Sequence, residues 1–305
     1  MTSTILFQVV VMLLLVLVGW ALSKCGKLPD EKTLGGLLSY ASLPAMIIAS
    51  MNVPVSSELL ADLGLVMIGF FVVLVIGAAM GFLAGKLTRQ RTSVAAAWAA
   101  CAAYPNAIFM GWPFKYAVYG GAALPLVTGV VLMFNLTIFT LASWLLSAGG
   151  TNRSRPTLKK LLLQPAIISI VFGSVLLLTP LTLPGPAQVT IEMLAATTTP
   201  LAMVLIGCQL SKCSLRDTFL DRKAYIVSFV RLVPAALAAY FVLSLFIANE
   251  MVVGFLSIGA VMPTATFVAV VAAQQGGDAV FCSKVAVLST ILSAVTIPLL
   301  IPLFI

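Results

Sequence analysis

The feature that most constrains this chain is a succession of ten apolar segments, at about 5–22, 33–51, 64–85, 93–119, 122–147, 158–180, 187–211, 224–247, 251–275 and 280–304, joined by short polar connections. Crossing ~30 Å of hydrocarbon takes about 20 residues of helix, and most of these segments reach that length. Inside hydrocarbon every backbone N–H and C=O must be paired within the protein, so such segments fold as helices. Of the 305 residues only 9% are charged, against roughly 25% in soluble domains. The expected fold is an all-α integral membrane protein with ten transmembrane helices. The first apolar run has no basic residue before it and exceeds a signal-peptide core, so it is expected to remain as the first span.

The basic residues alternate with the spans. Lys24, Lys27 and Lys32 follow the first, Lys86, Arg89 and Arg91 the third, Arg153, Arg155, Lys159 and Lys160 the fifth, and Lys212, Arg216, Arg222 and Lys223 the seventh. The intervening loops 52–63, 181–186 and 248–250 carry no lysine or arginine. Short basic loops stay on the cytoplasmic side, which places both termini outside a multi-pass protein of the plasma (inner) membrane. The net charge of +8 is thus a topology signal, and no nucleic-acid partner is expected.

The prolines expose an internal duplication. Tyr104-Pro105-Asn106-Ala107-Ile108-Phe109 in the fourth segment is echoed by Met262-Pro263-Thr264-Ala265-Thr266-Phe267 in the ninth. Pro44 precedes Pro105 by 61 residues, and Pro200 precedes Pro263 by 63. Two repeats follow, 1–150 and 151–305, with the boundary in 148–153. Five spans is an odd number, so the second repeat enters the membrane inverted. Proline donates no N–H and pushes the residue before it out of helical dihedrals, so spans four and nine should break. Asn106 and Thr264 then stand where a side chain caps the next half-helix.

Inversion aims the two new helix N-termini at one mid-membrane point, each equivalent to roughly half a positive charge, a setting that favours a carboxylate. The candidate substrate-binding residues are Tyr104, Pro105, Asn106, Ala107, Pro263, Thr264, Ala265 and Thr266, with Pro44, Thr199 and Pro200 from the matching earlier prolines. Lys115 lies nine residues past Asn106, ~13 Å along a helix. Two readings stand for it, steering anions inward or snorkelling to the surface. Arg231, about two turns into the eighth span, has the same pair of readings. Asn135, Gln164, Thr197, Thr198, Gln209 and Gln274 are weaker polar candidates, residues of the kind that join helices to each other. Glycines at 64, 69, 77, 81 and 85 should let the third span approach its neighbours closely.

No histidine is present, and the five cysteines form no C-x-x-C pair. With no acidic residue clearly at mid-span either, the chain offers no metal site, no cofactor site and no catalytic constellation. It is not expected to be an enzyme. A channel would show rings of charge, and none is visible. The reading that remains is a secondary carrier of small anions, coupled to H⁺, to Na⁺ or to neither. A sodium-coupled carrier of larger amphipathic anions is the alternative.

Asn106-Ala107-Ile108-Phe109-Met110-Gly111-Trp112-Pro113 resembles the N-x-x-[FV]-[LM]-G-x-P motif of the auxin efflux carrier family, which includes plant auxin carriers and bacterial permeases for malonate and malate. Gln164-Pro165-Ala166, Thr199-Pro200-Leu201-Ala202 and Met262-Pro263-Thr264-Ala265 add to the likeness, which covers all ten spans. The resemblance implies two inverted five-helix repeats with crossover helices 4 and 9. It implies a scaffold of spans 1, 2, 6 and 7 that dimerises, and a moving transport domain of spans 3–5 and 8–10. Mono- or dicarboxylates such as malonate or malate are the implied substrates. The ninth-span proline is followed here by Thr264, where plant members commonly carry asparagine.

Overall fold

The computed structural model describes residues 2–28, 31–52, 57–147, 163, 165–179, 181–212 and 215–305, and among these every regular element is a helix. The proposed repeat boundary at 148–153, the basic residues Arg153, Arg155, Lys159 and Lys160, and Gln164 lie outside the described residues, as does the side chain of Gln274. Among the described residues six helices are long and apolar enough to cross a membrane: Thr33–Met51, Leu60–Leu87, Leu126–Ser147, Gly185–Ser211, Arg222–Phe246 and Ala279–Leu303. Val10–Lys24, Thr92–Ala103, Pro165–Leu178 and Glu250–Ala260 are shorter apolar helices. This is an integral, multi-pass membrane protein. Its surface agrees, since on the first helix Val10, Leu14 and Leu17 are exposed while Met12 and Val16 are buried. A helix apolar on both faces suits protein on one side and lipid on the other.

We label the helices used below α1 (Thr2–Lys24), α2 (Leu43–Met51), α3 (Ser57–Leu87), α4 (Thr92–Ala103), α5 (Gly111–Tyr119), α6 (Ala123–Thr137), α7 (Pro165–Leu178), α8 (Gly185–Ala196), α9 (Thr198–Lys212), α10 (Arg222–Leu232), α11 (Pro234–Phe246), α12 (Glu250–Ala260), α13 (Phe267–Gln274) and α14 (Ala279–Leu300). They pack in two sets. In one, α1 lies on α9 and α2 lies on α7 and α8. In the other, α3 lies on α4, α6, α10, α11 and α12, while α14 lies on α10 and α13. The sets touch where α2 and α7 meet α6, and where α1 meets α5 and α14.

Small residues set the closest approaches. A Cβ built at Gly77 would stand 2.3 Å from the Ala102 carbonyl oxygen, and one at Gly81 2.6 Å from that of Trp98. Gly85 meets Ala95, so three of the five glycines named from the sequence press α3 onto the alanine-rich α4. Gly69 packs on Leu256, and Gly64 faces open space. We expect Gly81→Val to lower the protein's stability by ~1–3 kcal/mol, because backbone cannot retreat as a side chain can. Gly64→Ala should leave it unchanged. Melting of the two purified variants in detergent checks the pair.

Candidate functional site

The prolines break the fourth and ninth segments as their chemistry dictates. α4 ends at Ala103, Tyr104 turns extended (φ −96°, ψ 97°), and helix resumes only at Gly111. α12 ends at Ala260 and α13 begins at Phe267. The two breaks lie side by side, Pro105 forming an isolated antiparallel bridge with Thr264. Asn106 N–H donates to the Pro263 carbonyl at 2.6 Å, and Ala265 N–H donates to the Tyr104 carbonyl at 2.8 Å. Each break therefore supplies the partner the other lost, as buried backbone requires. Tyr104, Pro105, Asn106, Ala107, Pro263, Thr264 and Ala265 are all buried here, and Thr266 is half-buried.

The capping role expected of the two polar residues is not observed. Among the described residues the Asn106 side chain caps no helix; the main-chain carbonyl of Asn106 accepts from Met110 N–H at 3.2 Å and Gly111 N–H at 3.0 Å. The N–H groups of Ala107, Ile108 and Phe109 have no acceptor among the described residues. Thr264 is turned backwards, its hydroxyl donating to the Cys101 carbonyl at 2.9 Å and its N–H to Ser289 Oγ at 3.1 Å. It closes the end of the helix before the break on the other strand of chain, not the start of its own. α13 begins without a side-chain cap.

Both basic residues point inward, so snorkelling is corrected for each. The Lys115 ammonium is fully buried and has no hydrogen-bond partner among the described residues. It sits over the Phe255 ring, 4.2 Å from the centroid, a cation–π contact that recovers part of the cost of desolvation. A Cβ at Gly259 would lie 3.2 Å from Lys115 Nζ and 3.5 Å from the Ala107 methyl, which places the charge beside the Asn106 break. Arg231, 1% exposed, donates from Nε to the Met262 carbonyl at 3.2 Å, from Nη1 to Ala102 at 2.7 Å, and from Nη2 to Ala260. Its three nitrogens are committed to main chain, which removes it as a free anion-steering group.

The segments that carry Pro44, Thr199 and Pro200 are bonded to each other. Ser42 Oγ and Thr197 Oγ1 are 2.8 Å apart, and Thr198 Oγ1 donates to the Ser42 carbonyl at 3.0 Å. None of these bonds reaches the Pro105 and Pro263 breaks. The two prolines also differ in effect. Pro44 rides a continuous helix whose preceding turn, Leu38–Ser42, widens to a π-helix, whereas the helix carrying Pro200 is interrupted at Thr197. A wide turn absorbs a missing N–H without breaking the axis. Asn135 donates to the Val131 carbonyl of its own helix. A separate pocket of about 290 Å³ is lined by Ser93, Asp221, Lys223, Asp278 and Lys284 among others, and Lys284 pairs with Asp221 at 3.3 Å. None of the sequence-predicted site residues lines it.

Three residues at the breaks had no signal in the sequence: Ser289, which accepts the Thr264 N–H, Phe255 beneath Lys115, and Gly259, which makes room for it. Serine, phenylalanine and glycine are ordinary in apolar spans, and only the packing gives them a partner.

Breaks paired in this way within an all-helical membrane protein belong with transport, and comparison with known proteins decides the point. A family model described as "Membrane transport protein" matches residues 4–301. The chain belongs to that family, the family of the auxin efflux carriers. It is therefore a membrane transporter and not an enzyme. This transporter is similar to an "Uncharacterized transporter" of Methanothermobacter thermautotrophicus, 28% identical over 296 residues and covering 94% of each chain.

Proposed function

We propose that the chain is a secondary carrier of small organic anions, of the mono- or dicarboxylate kind exemplified by malonate and malate. One observation carries the reading: the buried, unpaired ammonium of Lys115 stands beside the Asn106 break, next to the unbonded N–H groups of residues 107–109. A buried cation without a partner is costly and calls for an anion. Free amides at a helix start add donors in the geometry that carboxylates accept.

In this reading the chain has ten spans in two inverted repeats, spans 4 and 9 being the crossover helices. The two packing sets support a scaffold of spans 1, 2, 6 and 7, with which it would dimerise, and a transport group of spans 3–5 and 8–10. The transport group carries the site past the scaffold and exposes it to each face of the plasma membrane in turn, with both termini outside. Arg231 supports the paired breaks from behind, while Asn106, Ala107 and Lys115 face the substrate. Pro44, Thr199 and Pro200 belong to the scaffold wall.

The test is uptake of labelled malonate, malate, succinate and indole-acetate into proteoliposomes, with proton and sodium gradients imposed separately. We expect one of the first three to accumulate and Asn106→Ala to reduce its uptake about tenfold, one lost hydrogen bond to a charged group being worth ~1.5–3 kcal/mol. Uptake equal in wild type and Asn106→Ala would remove this break from the substrate path. Preference for indole-acetate with a sodium requirement would favour the carrier of larger anions.

A further inference from the structure

The last carbonyls of a helix have no partner within it, and the helix C-terminus carries about half a negative charge. At the two breaks nearly all of these groups are accounted for. Tyr104 N–H takes the Ala100 carbonyl, Thr264 Oγ1 takes Cys101, Ala265 N–H takes Tyr104, Met262 N–H takes Gly259 and Asn106 N–H takes Pro263. Three carbonyls outside this set, those of Ala102, Ala260 and Met262, converge on a single group, the Arg231 guanidinium. They come from two helix ends, that of α4 and that of α12, and from the break after α12. The guanidinium reaches them from a third helix, α10, and is shut away from solvent.

A ring of main-chain carbonyls at the negative ends of two broken helices is the chemistry by which membrane proteins hold a monovalent metal cation. Here the position is filled by a side chain. We propose that Arg231 is a tethered cation occupying a carbonyl site that would otherwise take a monovalent metal ion, so that this carrier needs no sodium at the paired breaks. The inference rests on the carrier reading for its transport consequence and on the geometry alone for the site. It has a structural corollary. A covalently held charge neutralises the helix ends in every state of the cycle, whereas a bound ion does so only when its concentration allows.

The experiment uses the purified full-length chain. Thermal unfolding is followed in detergent with choline as the only added cation, and then with low-millimolar guanidinium or sodium replacing choline at constant ionic strength. Wild type should melt at one temperature throughout. Arg231→Ala should melt lower in choline and recover part of the loss with guanidinium or sodium, saturably. Guanidinium that acts no better than choline on the variant, or an Arg231→Ala protein as stable as wild type in choline, overturns the proposal. So does a wild-type melting temperature that rises with sodium. In proteoliposomes, wild-type uptake should be unchanged when choline replaces sodium on both sides, while uptake by Arg231→Ala should become dependent on guanidinium or sodium. If Arg231→Ala yields no folded protein, Arg231→Lys carries the test, because it keeps the tethered charge. It should fold and transport without sodium, and sodium dependence in it overturns the proposal. The melting arm contains no substrate. A wild type that carries none of the anions tried would therefore sink the transport reading and leave the cation site to be judged on its own data.

Discussion

Lys115→Met is expected to abolish saturable anion uptake while leaving the protein as stable as wild type, or more so. Methionine keeps the length of the side chain and its contact with the Phe255 ring, since thioethers pack well against aromatics. It removes a positive charge near the Asn106 break that no group among the described residues pairs. Truncating one member of a buried charge pair costs ~2–5 kcal/mol, so uptake below saturation should fall about a hundredfold. Stability should move the other way, because the empty protein no longer buries an unpaired ammonium. A residue kept for packing would lose both together. Labelled-malonate uptake, read beside melting in detergent, distinguishes the two. Wild-type uptake in Lys115→Met would show that the ammonium lies off the anion path.

Gly207→Val is expected to leave little folded protein. A Cβ at Gly207 would stand 2.0 Å from the Val16 carbonyl oxygen and 2.6 Å from the Trp20 nitrogen, and one at Gly19 would meet the Val204 carbonyl at 2.3 Å. Each glycine receives the other helix's backbone, so α1 and α9 touch main chain to main chain on both sides. None of the obstructing atoms belongs to a side chain that can rotate away. Overpacking of this kind costs ~1–3 kcal/mol and occasionally more, and a β-branched residue against backbone belongs at the upper end. In membranes such contacts are a principal source of helix association, because lipid removes the hydrophobic drive between spans. The recovery of monodisperse protein after detergent extraction measures it. Gly19→Ala combined with Gly207→Ala should be less costly than the sum of the two, since one relaxation of α1 from α9 serves both.

The two helix breaks were legible because proline acts locally. Pro105 and Pro263 stop helices through the dihedrals of Tyr104 and the missing N–H, effects that need no knowledge of the rest of the chain. Asn106 and Thr264 were harder. A capping preference is also local, but Thr264 found a better acceptor in the Cys101 carbonyl of a helix 163 residues away. Once Pro263 accepted the Asn106 N–H, the carbonyl of Asn106 sufficed for Met110 and Gly111. Pro44 and Pro200 looked equivalent in spacing and are not, because a wide helical turn absorbed the first while the helix carrying the second is interrupted at Thr197.

By itself the sequence determined that the chain lives in a membrane as helices, that two of its apolar segments break at prolines, and that it belongs among transporters. Those properties follow from the run length of apolar residues and from backbone chemistry at single positions. Only the tertiary structure decided where the two buried cations go. Whether a lysine or arginine in a span snorkels or turns inward depends on which acceptors the neighbouring helices present within its reach. Arg231 turned inward because three carbonyls, two from helix ends and one from the break after α12, converged within reach of its guanidinium. Lys115 was enclosed because Gly259 and the Phe255 ring left it room. Those partners lie 29 to 144 residues away along the chain, and no pattern of spacing records them.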